Sequence, residues 1–311
     1  MRPDDIVTLD RLGVIGFIGC GRMGLPMARR LLAMGSSVHA FDVAPAALEA
    51  VITAGAVRTA SPAEAAREAT IVITMLPDPP AVEGAAHGED GVLAGLRPGA
   101  LWIEMSSSTP ATTRALAGAA RERGAELLDA PVSGGVAGAV AGTLTIMAGG
   151  EEALLDRARP LLDELGAEIV HVGDRPGDGD AAKTINNMLS ATNLAAAAEA
   201  LSLGVRAGLD PERLMSCVNG GTGASNASQN KVAGQVLTGR FASRFTIGQY
   251  LKDLRIALGL AADHDVPAPV NSTACSVWTS HAARGAAGDD HTRLVDLVLR
   301  DAGLEMRWGG N

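Results

Sequence analysis

The sequence contains few aromatic residues, few cysteines and no excess of positive charge. Aromatic side chains make up 3% of the 311 residues, so the core has to be built from Ala, Val, Leu and Ile, with backbones packed closely. The formal net charge is −9, and an acidic chain repels phosphate backbones and anionic lipid. The charge balance therefore argues against general binding to nucleic acid or to a membrane surface.

The three cysteines, Cys20, Cys217 and Cys275, are odd in number and far apart, which argues against a disulfide framework and a zinc-ligand pattern. They predict a reduced, cytoplasmic protein, and the scattered histidines give no support for a metal site. No uninterrupted apolar run approaches the roughly 18 residues that a membrane helix needs. Residues 1–12 lack the apolar segment of a signal peptide and are expected to form a flexible tail.

Hydrophobic residues make up 47% and charged residues 20% of the chain, which is ordinary for a folded protein long enough to form two domains. In the first half, short apolar runs alternate with Ala-rich helical segments, which predicts a parallel sheet covered by helices on both faces. The last strands lie closer together in the sequence, so an antiparallel or mixed edge is expected there. The predicted strands are Val14–Ile18, Ser37–Phe41, Ile71–Met75, Leu101–Glu104, Glu126–Ala130, Leu144–Ala148 and Ile169–Val172.

The strand pattern ends near residue 173, where a segment rich in Gly and Asp predicts a break at residues 174–179. The following segment, from Asp180 to about Ala207, predicts one long helix, and only further helices are predicted after it. These are Pro211–Val218, Ser225–Val236, Thr246–Asp263, Ala268–Arg284 and Thr292–Asp301. The predicted fold is an α/β domain over residues 13–176 and an all-α C-terminal domain over residues 177–311, joined by the long interdomain helix.

The first predicted strand leads directly into a glycine-rich turn, Gly19-Cys20-Gly21-Arg22-Met23-Gly24. In a dinucleotide-binding turn the first glycine permits a tight bend, the second lets the backbone approach a pyrophosphate, and the third lets helix and strand pack closely. The N-terminus of the following helix then offers N–H groups to the phosphates. Glycine-rich turns are common by themselves, but the strand–turn–helix context here predicts a Rossmann-type dinucleotide-binding domain.

Asp42 directly follows the second predicted strand, 18 residues after Gly24. A carboxylate at this place accepts hydrogen bonds from the ribose hydroxyls and repels the 2′-phosphate of NADP. The next residues, Val43, Ala44 and Pro45, carry no positive charge to offset that repulsion. The sequence therefore predicts NAD as the cofactor.

A second glycine-rich segment, Ser133-Gly134-Gly135, follows a later predicted strand. Two consecutive glycines expose successive backbone N–H groups, which together with the serine hydroxyl can form a nest for a carboxylate. A flexible hairpin explains the same residues equally well. In either case an open loop is expected to continue through Gly138, Gly142 and Thr143.

Lys183, Asn187 and Ser190 lie on one face of the predicted long helix, at spacings i, i+4 and i+7. The rest of this segment is apolar, and a lysine and amides on a buried helix are costly unless they face a ligand or a water-filled cleft. A solvated helix face normally mixes both charge signs, and the first acidic residue after Lys183 is Glu199. Lys183 is therefore the candidate proton donor and acceptor, provided that burial or nearby charge lowers its pKa.

These segments resemble the β-hydroxyacid dehydrogenases, the 3-hydroxyisobutyrate dehydrogenase-like family. The resemblance covers about residues 13–304 and includes six motifs in the family's order. The motifs are GFIGCGRMGLPM (16–27), MLP (75–77), EMSSSTP (104–110), DAPVSGGVAGAVAGTLTIMAGG (129–150), KTINN (183–187) and LKDLRIAL (251–258). The resemblance implies a helical domain like the C-terminal domain of 6-phosphogluconate dehydrogenase, and a homodimer or homotetramer.

The resemblance also implies roles for the matching positions. Lys183 would be the catalytic acid/base, and Asn187 would orient it and the substrate. Ser133, Gly134 and Gly135 would hold the carboxylate of a small carboxylic-acid substrate. The cofactor would be bound by Gly19, Gly21, Arg22, Met23, Gly24, Asp42, Leu76, Pro77, Ser107 and Lys252. Sequence alone favours a plain surface charge pair for Lys252 and Asp253.

The resulting hypothesis is an NAD-dependent 3-hydroxyacid dehydrogenase (EC 1.1.1.-) that needs no metal and oxidises a small 3-hydroxy acid reversibly to its semialdehyde. The alternatives are a semialdehyde reductase of the tartronate or succinate semialdehyde type, and a non-catalytic NAD-binding module. Decarboxylation of the 6-phosphogluconate type is disfavoured, because Asn186 stands where those enzymes usually carry His. Lys183 and Asp42 both disfavour imine reduction.

Two departures from the family pattern bear on function. Glu104 replaces the Asp that is usual at its position, and little effect is expected. The small, polar segment 219–226 lies where members that bind a branched acid tend to differ, and it is expected to line the substrate pocket. The natural substrate therefore need not be 3-hydroxyisobutyrate.

Overall fold

The computed structural model describes residues 13–243, 245–306 and 308. The flexible tail expected at residues 1–12 lies outside the described residues. The chain divides into two compact units, of which the first ends at Lys183 and the second begins at Thr184. The boundary expected from the sequence, after residue 176, lies seven residues earlier, and one helix starting at Asp178 continues from the first unit into the second.

The described part of the first unit is built around one sheet of nine strands. Its strands are β1 (Val14–Ile18), β2 (Ser37–Phe41), β3 (Val57–Arg58), β4 (Ala69–Thr74), β5 (Leu101–Glu104), β6 (Glu126–Asp129), β7 (Val132–Ser133), β8 (Leu144–Gly149) and β9 (Gly166–Gly173). Their order is β3-β2-β1-β4-β5-β6-β8-β7, with β9 beside β8. Strands β1 to β6 run parallel to one another, whereas β8 is antiparallel to β6 and β7 and parallel to β9. The expected mixed edge is therefore confirmed.

Helices cover this sheet, and several begin at a polar residue followed by proline. They are α1 (Gly24–Ala33), α2 (Pro45–Ile52), α3 (Pro62–Arg67), α4 (Pro79–Ala86), α5 (Val92–Gly95), α6 (Pro110–Glu122), α7 (Gly135–Ala141) and α8 (Glu152–Leu165). The side chains of Ser61, Asp78 and Thr109 each accept a hydrogen bond from a backbone N–H of the first turn. Proline suits the first helical position because its missing N–H has no partner there in any case.

The second unit is helical. Its helices are the greater part of α9 (Asp178–Arg206), then α10 (Pro211–Gly220), α11 (Ile247–Asp263), α12 (Pro269–Ala283) and α13 (Leu294–Asp301). Segment 225–236, predicted as an α-helix, forms a π-helix at Ala227–Val236, and two short 3₁₀ turns precede α13. Among the described helices, α9 alone is long and apolar enough to span a membrane by length and composition. Leu194, Ala198 and Leu201 of α9 are buried in the core of this unit.

Candidate active site

The glycine-rich turn between β1 and α1 is held by close backbone packing. Gly19 has a φ of +95°, and its N–H donates to the carbonyl oxygen of Phe41 at 2.9 Å. A Cβ on Gly19 would overlap the carbonyl oxygen of Met75, and a Cβ on Gly24 would overlap that of Gly19. A Cβ on Gly21, in contrast, would meet no atom within 4 Å. The first and third glycines thus serve packing, while the second leaves the backbone open to a ligand.

Asp42 lies immediately after β2 and faces this turn. One carboxylate oxygen accepts the N–H of Cys20 at 2.7 Å, and the other accepts the N–H of Ala44 at 2.7 Å. Each carboxylate oxygen can accept a further hydrogen bond. Asp42 therefore ties the glycine-rich turn to β2 and retains acceptor capacity for ribose hydroxyls, and the tie to Cys20 was not foreseen from the sequence.

A cavity of about 620 Å³ opens beside the turn, at the carboxyl ends of β1, β2 and β4. Ligands bind at this edge in open parallel sheets. Residues from all three strand ends line the cavity, among them Gly19, Gly21, Asp42, Leu76 and Pro77. A glycine-lined opening next to a carboxylate fits the adenosine half of a dinucleotide, so the residues present suit an NAD-type cofactor.

A buried carboxylate supports the wall of this cavity. Glu104 accepts the N–H of Ser106 at 2.9 Å, and the Ser106 hydroxyl accepts the N–H of Leu76 at 2.8 Å. The Thr74 hydroxyl donates to the same Glu104 oxygen at 3.3 Å. Glu104 is fully buried, and this burial raises its pKa to about 7. Glu104, which replaces the Asp usual in the family, thus holds Ser106 and through it the segment that carries Leu76, a predicted cofactor contact.

Two further buried carboxylates hold the beginning of α9. Asp129, at the end of β6, accepts the N–H groups of Gly177 at 2.7 Å and Asp180 at 2.9 Å. Asp180 accepts the N–H of Ser108 at 3.2 Å and the hydroxyl of Thr113 at 2.5 Å. Burial, and then the nearby charge of Asp180, raise the pKa of Asp129 to about 7.

Lys183 follows Asp180 by three residues in α9 and is partly buried. The two buried carboxylates therefore fix the segment from which this lysine projects. Ser107, the predicted contact to the nicotinamide ribose, is also partly buried and directly precedes Ser108. Sequence analysis missed the positioning role of Asp129 and Asp180, although Asp129 is the second-last residue of a predicted strand and Asp180 begins the predicted long helix.

Ser133, Gly134 and Gly135 lie between a strand and a helix. Ser133 ends β7 and pairs with Thr145 of β8, while Gly134 and Gly135 have φ values of +127° and +61°. These left-handed backbone conformations favour glycine, and the absence of side chains leaves both N–H groups uncovered by a Cβ. The open loop expected beyond them is wrong, because Gly138 lies within α7 and Gly142 ends it in a left-handed conformation.

In the second unit, Asn187 and Lys252 share one buried carboxylate. The Asn187 side-chain amide donates to Asp253 at 2.7 Å and also accepts from the Asn186 amide at 3.1 Å. The Lys252 ammonium lies 3.2 Å from the other Asp253 oxygen. Asp253 is 4% exposed, so the interpretation of Lys252 and Asp253 as a surface charge pair is wrong.

A third lysine, missed by sequence analysis, lies near Ser190. The Lys231 ammonium donates to the Ser190 hydroxyl at 2.6 Å and to the Tyr250 hydroxyl at 2.5 Å. A compositional signal was present, since the 26 basic residues of the chain include just three lysines, at positions 183, 231 and 252. The other 23 basic residues are arginines.

The segment expected to line the substrate pocket borders a cavity within the second unit. This cavity of about 410 Å³ is lined by Gly223, Ala224 and Ser225, together with Asn193 and Met215. The expectation that segment 219–226 contacts substrate stays a prediction.

Comparison with protein families matches nearly the whole chain. Residues 14–173 match the NAD binding domain of 6-phosphogluconate dehydrogenase. Residues 177–298 match the family described as the NAD-binding domain of NADP-dependent 3-hydroxyisobutyrate dehydrogenase. Both matches agree with the cofactor class indicated by the cavity beside Asp42.

Several individual proteins are similar over almost their full length. A 2-(hydroxymethyl)glutarate dehydrogenase of Eubacterium barkeri is 39% identical over 295 residues, which cover 95% of this chain and 98% of that protein. A 2-hydroxy-3-oxopropionate reductase of Escherichia coli K12 is 37% identical, covering 91% of this chain and 96% of its own. The solved structure of Mycobacterium tuberculosis 3-hydroxyisobutyrate dehydrogenase with L-serine is 36% identical, with a TM-score of 0.85 and coverage of 92% and 99%.

Proposed function

Because the chain belongs to the β-hydroxyacid dehydrogenase family, we propose that it catalyses the reversible, NAD-dependent oxidation of a small 3-hydroxy acid to its semialdehyde. The observation that carries this proposal is the composition of the first unit. The same compact unit contains the dinucleotide cavity, the paired left-handed glycines and a partly buried Lys183 held by buried carboxylates. Together these would provide a cofactor site, a substrate anchor and a proton carrier.

The Ser133–Gly135 segment would bind the substrate carboxylate. The backbone N–H groups of Gly134 and Gly135 and the hydroxyl of Ser133 supply three donors without a full positive charge. Binding the carboxylate restricts the rotation and translation of the substrate, which is worth several kcal/mol when the reacting carbon is then in place. Neither glycine tolerates a Cβ at its φ without strain, so this anchor depends on the backbone.

Lys183 would act as the general acid and base. In the oxidation its neutral amine takes the proton of the substrate hydroxyl, and in the reduction its ammonium returns that proton. The bound dinucleotide would accept or return the hydride at the carbon that bears this hydroxyl. Asn187, four residues along α9, would orient the hydroxyl and the lysine, with its own amide fixed by Asp253.

Asp42 supports a preference for NAD over NADP. A 2′-phosphate would be placed near a carboxylate already bound to two backbone N–H groups, with no basic residue directly after it. The expected result is a kcat/KM with NAD at least about tenfold above that with NADP. Lys252 is proposed as a further cofactor contact.

The E. coli relative favours a second candidate, in which the physiological direction is semialdehyde reduction. The residues would have the same roles, with Lys183 as the acid. A non-catalytic NAD-binding module is the remaining alternative, and it predicts dinucleotide binding without turnover.

We also propose a cytoplasmic homodimer or homotetramer. Large apolar side chains of α9 are exposed, namely Ile185, Leu189 and Leu203. Contact between copies would remove them from water. Light scattering during gel filtration measures the mass directly.

The function is tested by following NADH absorbance with a panel of hydroxy acids and semialdehydes. Wild-type protein should turn over at least one 3-hydroxy acid, and Lys183→Ala should lose about 100- to 10,000-fold in kcat while binding NAD normally. Binding of NAD without turnover of any panel member would support the non-catalytic alternative. Near-normal turnover by Lys183→Ala would overturn the assignment of this lysine.

A further inference from the structure

Three helices of the first unit end around one guanidinium, that of Arg30. Arg30 itself lies in the last turn of α1. Its Nε donates to the carbonyl oxygen of Glu164, in the last turn of α8, at 2.6 Å. Its Nη1 donates to the carbonyl oxygen of Val140, in the last turn of α7, at 3.4 Å. The C-terminal ends of α1, α7 and α8 thus meet at a single side chain.

The ends of these helices suit a cation. The last carbonyl groups of a helix have no partner within the helix, and its C-terminal end carries a partial negative charge. The Arg30 guanidinium donates to two of these ends and brings a positive charge near all three. Its Nη2 also lies 3.5 Å from the Glu164 carboxylate, but both side chains reach water, so this ion pair adds little.

The close approach of the guanidinium to α7 requires a glycine. Gly142 directly follows α7 and has a φ of +69°. A Cβ on Gly142 would overlap the Arg30 guanidinium. Because the arginine occupies the place of a side chain at this position, it contacts the end of α7 by packing as well as by a hydrogen bond.

The segment between β7 and β8, residues 133–143, is poor in side chains that could hold it in place. Four of its eleven residues are glycine, none is charged, and no side chain is longer than valine. Glycine loses more conformational freedom on folding than any other residue. Pairing of Ser133 with Thr145 fixes one end of the segment, and Arg30 donates a hydrogen bond near the other end.

Arg30 therefore connects the two glycine-rich segments of the proposed site. The helix α1 begins at Gly24, in the turn beside the dinucleotide cavity, and α7 begins at Gly135, in the segment proposed to bind the substrate carboxylate. Joining the far ends of two helices restricts how their first residues move relative to each other. Hydride transfer needs reacting atoms about 3–3.5 Å apart, so a small displacement between cofactor and substrate is costly.

We propose that Arg30 is a positioning residue for the reaction, which holds the Ser133–Gly135 segment in place relative to the cofactor-binding turn. This inference rests on the proposed function, since it takes Ser133–Gly135 as the anchor of the substrate carboxylate. Without the guanidinium, the segment keeps its pairing with β8 but samples more conformations. Ordering it again when substrate binds then lowers substrate affinity.

Arg30→Met tests this role through the separate kinetic constants. With 3-hydroxypropionate, the smallest 3-hydroxy acid, as the probe, KM should rise about tenfold. The kcat should stay within about threefold, because an anchor that binds ground state and transition state alike affects KM. The Kd of NAD should stay within about twofold, since the cofactor-binding turn lies at the other end of α1. Arg30→Lys keeps the charge without the forked donors and should give an intermediate KM.

The matched control is Arg29→Met, which removes the same charge from the neighbouring, exposed position of α1. It should keep the wild-type constants. An unchanged KM in Arg30→Met would overturn the inference. An equal loss of affinity for NAD and for the hydroxy acid would do the same, because it would indicate general damage to the first unit.

Gly142→Ala disrupts the same contact without changing the arginine. Its Cβ should displace the guanidinium and raise KM as Arg30→Met does. Gly35→Ala is the control, because Gly35 follows α1 with a φ of +89° and a new Cβ there meets no atom within 4 Å. In the Arg30→Met background, Gly142→Ala should raise KM no more than Gly35→Ala does. Fully additive effects of Arg30→Met and Gly142→Ala would contradict a shared contact.

Hydrogen exchange tests the contact without turnover. Backbone amides of residues 133–143 should exchange faster in Arg30→Met and Gly142→Ala than in the wild type and the two controls, and those of residues 14–24 should not change. Equal exchange in all variants would show that Arg30 does not hold the segment. Faster exchange in Arg30→Met, with no turnover of any hydroxy acid by the wild type, would instead contradict the proposed function and leave the contact standing.

Discussion

The two units place their candidate functional groups by different means. In the first, the turn at Gly19–Gly24 and the paired glycines Gly134 and Gly135 are backbone features, and local sequence already marks both segments by their glycines. In the second, Asn187 depends on Asp253 and Ser190 on Lys231, partners 66 and 41 residues away in the chain. Functional groups formed by the backbone can therefore be predicted from local sequence. Functional side chains that depend on distant partners can be identified only once the fold is known.

The largest effect on NAD binding is expected from a substitution in the glycine-rich turn of the first unit, where backbone atoms pack closely. Gly24→Ala should abolish dinucleotide binding and lower the free energy of unfolding by about 1–3 kcal/mol, because the new Cβ overlaps the Gly19 carbonyl. Gly118→Ala is the matched control, since that glycine lies in α6 with no atom within 4 Å of the new Cβ. It should gain up to about 1 kcal/mol, as glycine weakens a helix interior. Calorimetric titration with NAD measures the binding, and thermal unfolding measures the stability of each variant. Normal NAD binding by Gly24→Ala would contradict the importance of this backbone packing.

Next in size is the loss of a positioning carboxylate at the start of α9. Asp180→Asn should lower kcat by about 100-fold, because a displacement of Lys183 by about 1 Å has effects of this size. NAD affinity should stay within about twofold, which separates misplacement of the lysine from general unfolding. Asp174→Asn, at an exposed site in the same turn region, should behave like the wild type. A wild-type kcat in Asp180→Asn would show that Lys183 is held by other contacts.

A smaller effect is expected from the corresponding carboxylate of the second unit. Asp253→Asn weakens the contacts to Asn187 and Lys252, and should raise KM for the hydroxy acid by about tenfold, the cost of one charge-assisted hydrogen bond. Asp263→Asn, exposed at the end of the same helix, provides the control. Equal KM values for the two variants in steady-state kinetics would show that Asp253 does not hold Asn187 and Lys252 in a position needed for substrate binding.

The smallest effect concerns pH and stability. Burial raises the pKa of Glu104 to about 7, above its value in the unfolded chain, so the folded state binds more protons between about pH 4.5 and 7. The contribution of this residue to stability should therefore be fully present below that range and fall as pH rises, by at most about 1.4 kcal/mol per pH unit. Glu104→Gln should make this decline less steep between about pH 4.5 and 7 in denaturant titrations. An unchanged slope would show that Glu104 does not titrate in this range.

Most elements of both units could be predicted because each is a long local pattern. The strands Val14–Ile18, Ser37–Phe41 and Leu101–Glu104 were predicted with their observed bounds. The two-residue strands β3 and β7 were missed, since such short pairings depend on the neighbouring strand and leave no periodicity of their own. The π-helix at Ala227–Val236 was predicted as α because both types bury one face of a similar apolar pattern.

The candidate site residues also fall into those that local sequence predicts and those that it does not. Gly19, Gly21, Gly24 and Asp42 could be identified because spacing alone carries their roles. Glu104, Asp129 and Asp180 act through hydrogen bonds to N–H groups from other parts of the chain, which no local pattern records. Lys231 lay in a segment without a motif, and its partners come from two other helices.

Chemical rescue tests the proposed role of Lys183 most directly. In Lys183→Ala the missing amine can be replaced by ethylamine from solution, with NADH formation from a hydroxy acid as the readout. The account predicts negligible turnover without amine and a rate that increases with the concentration of free ethylamine. Turnover by Lys183→Ala close to that of the wild type, with no dependence on added amine, would contradict it.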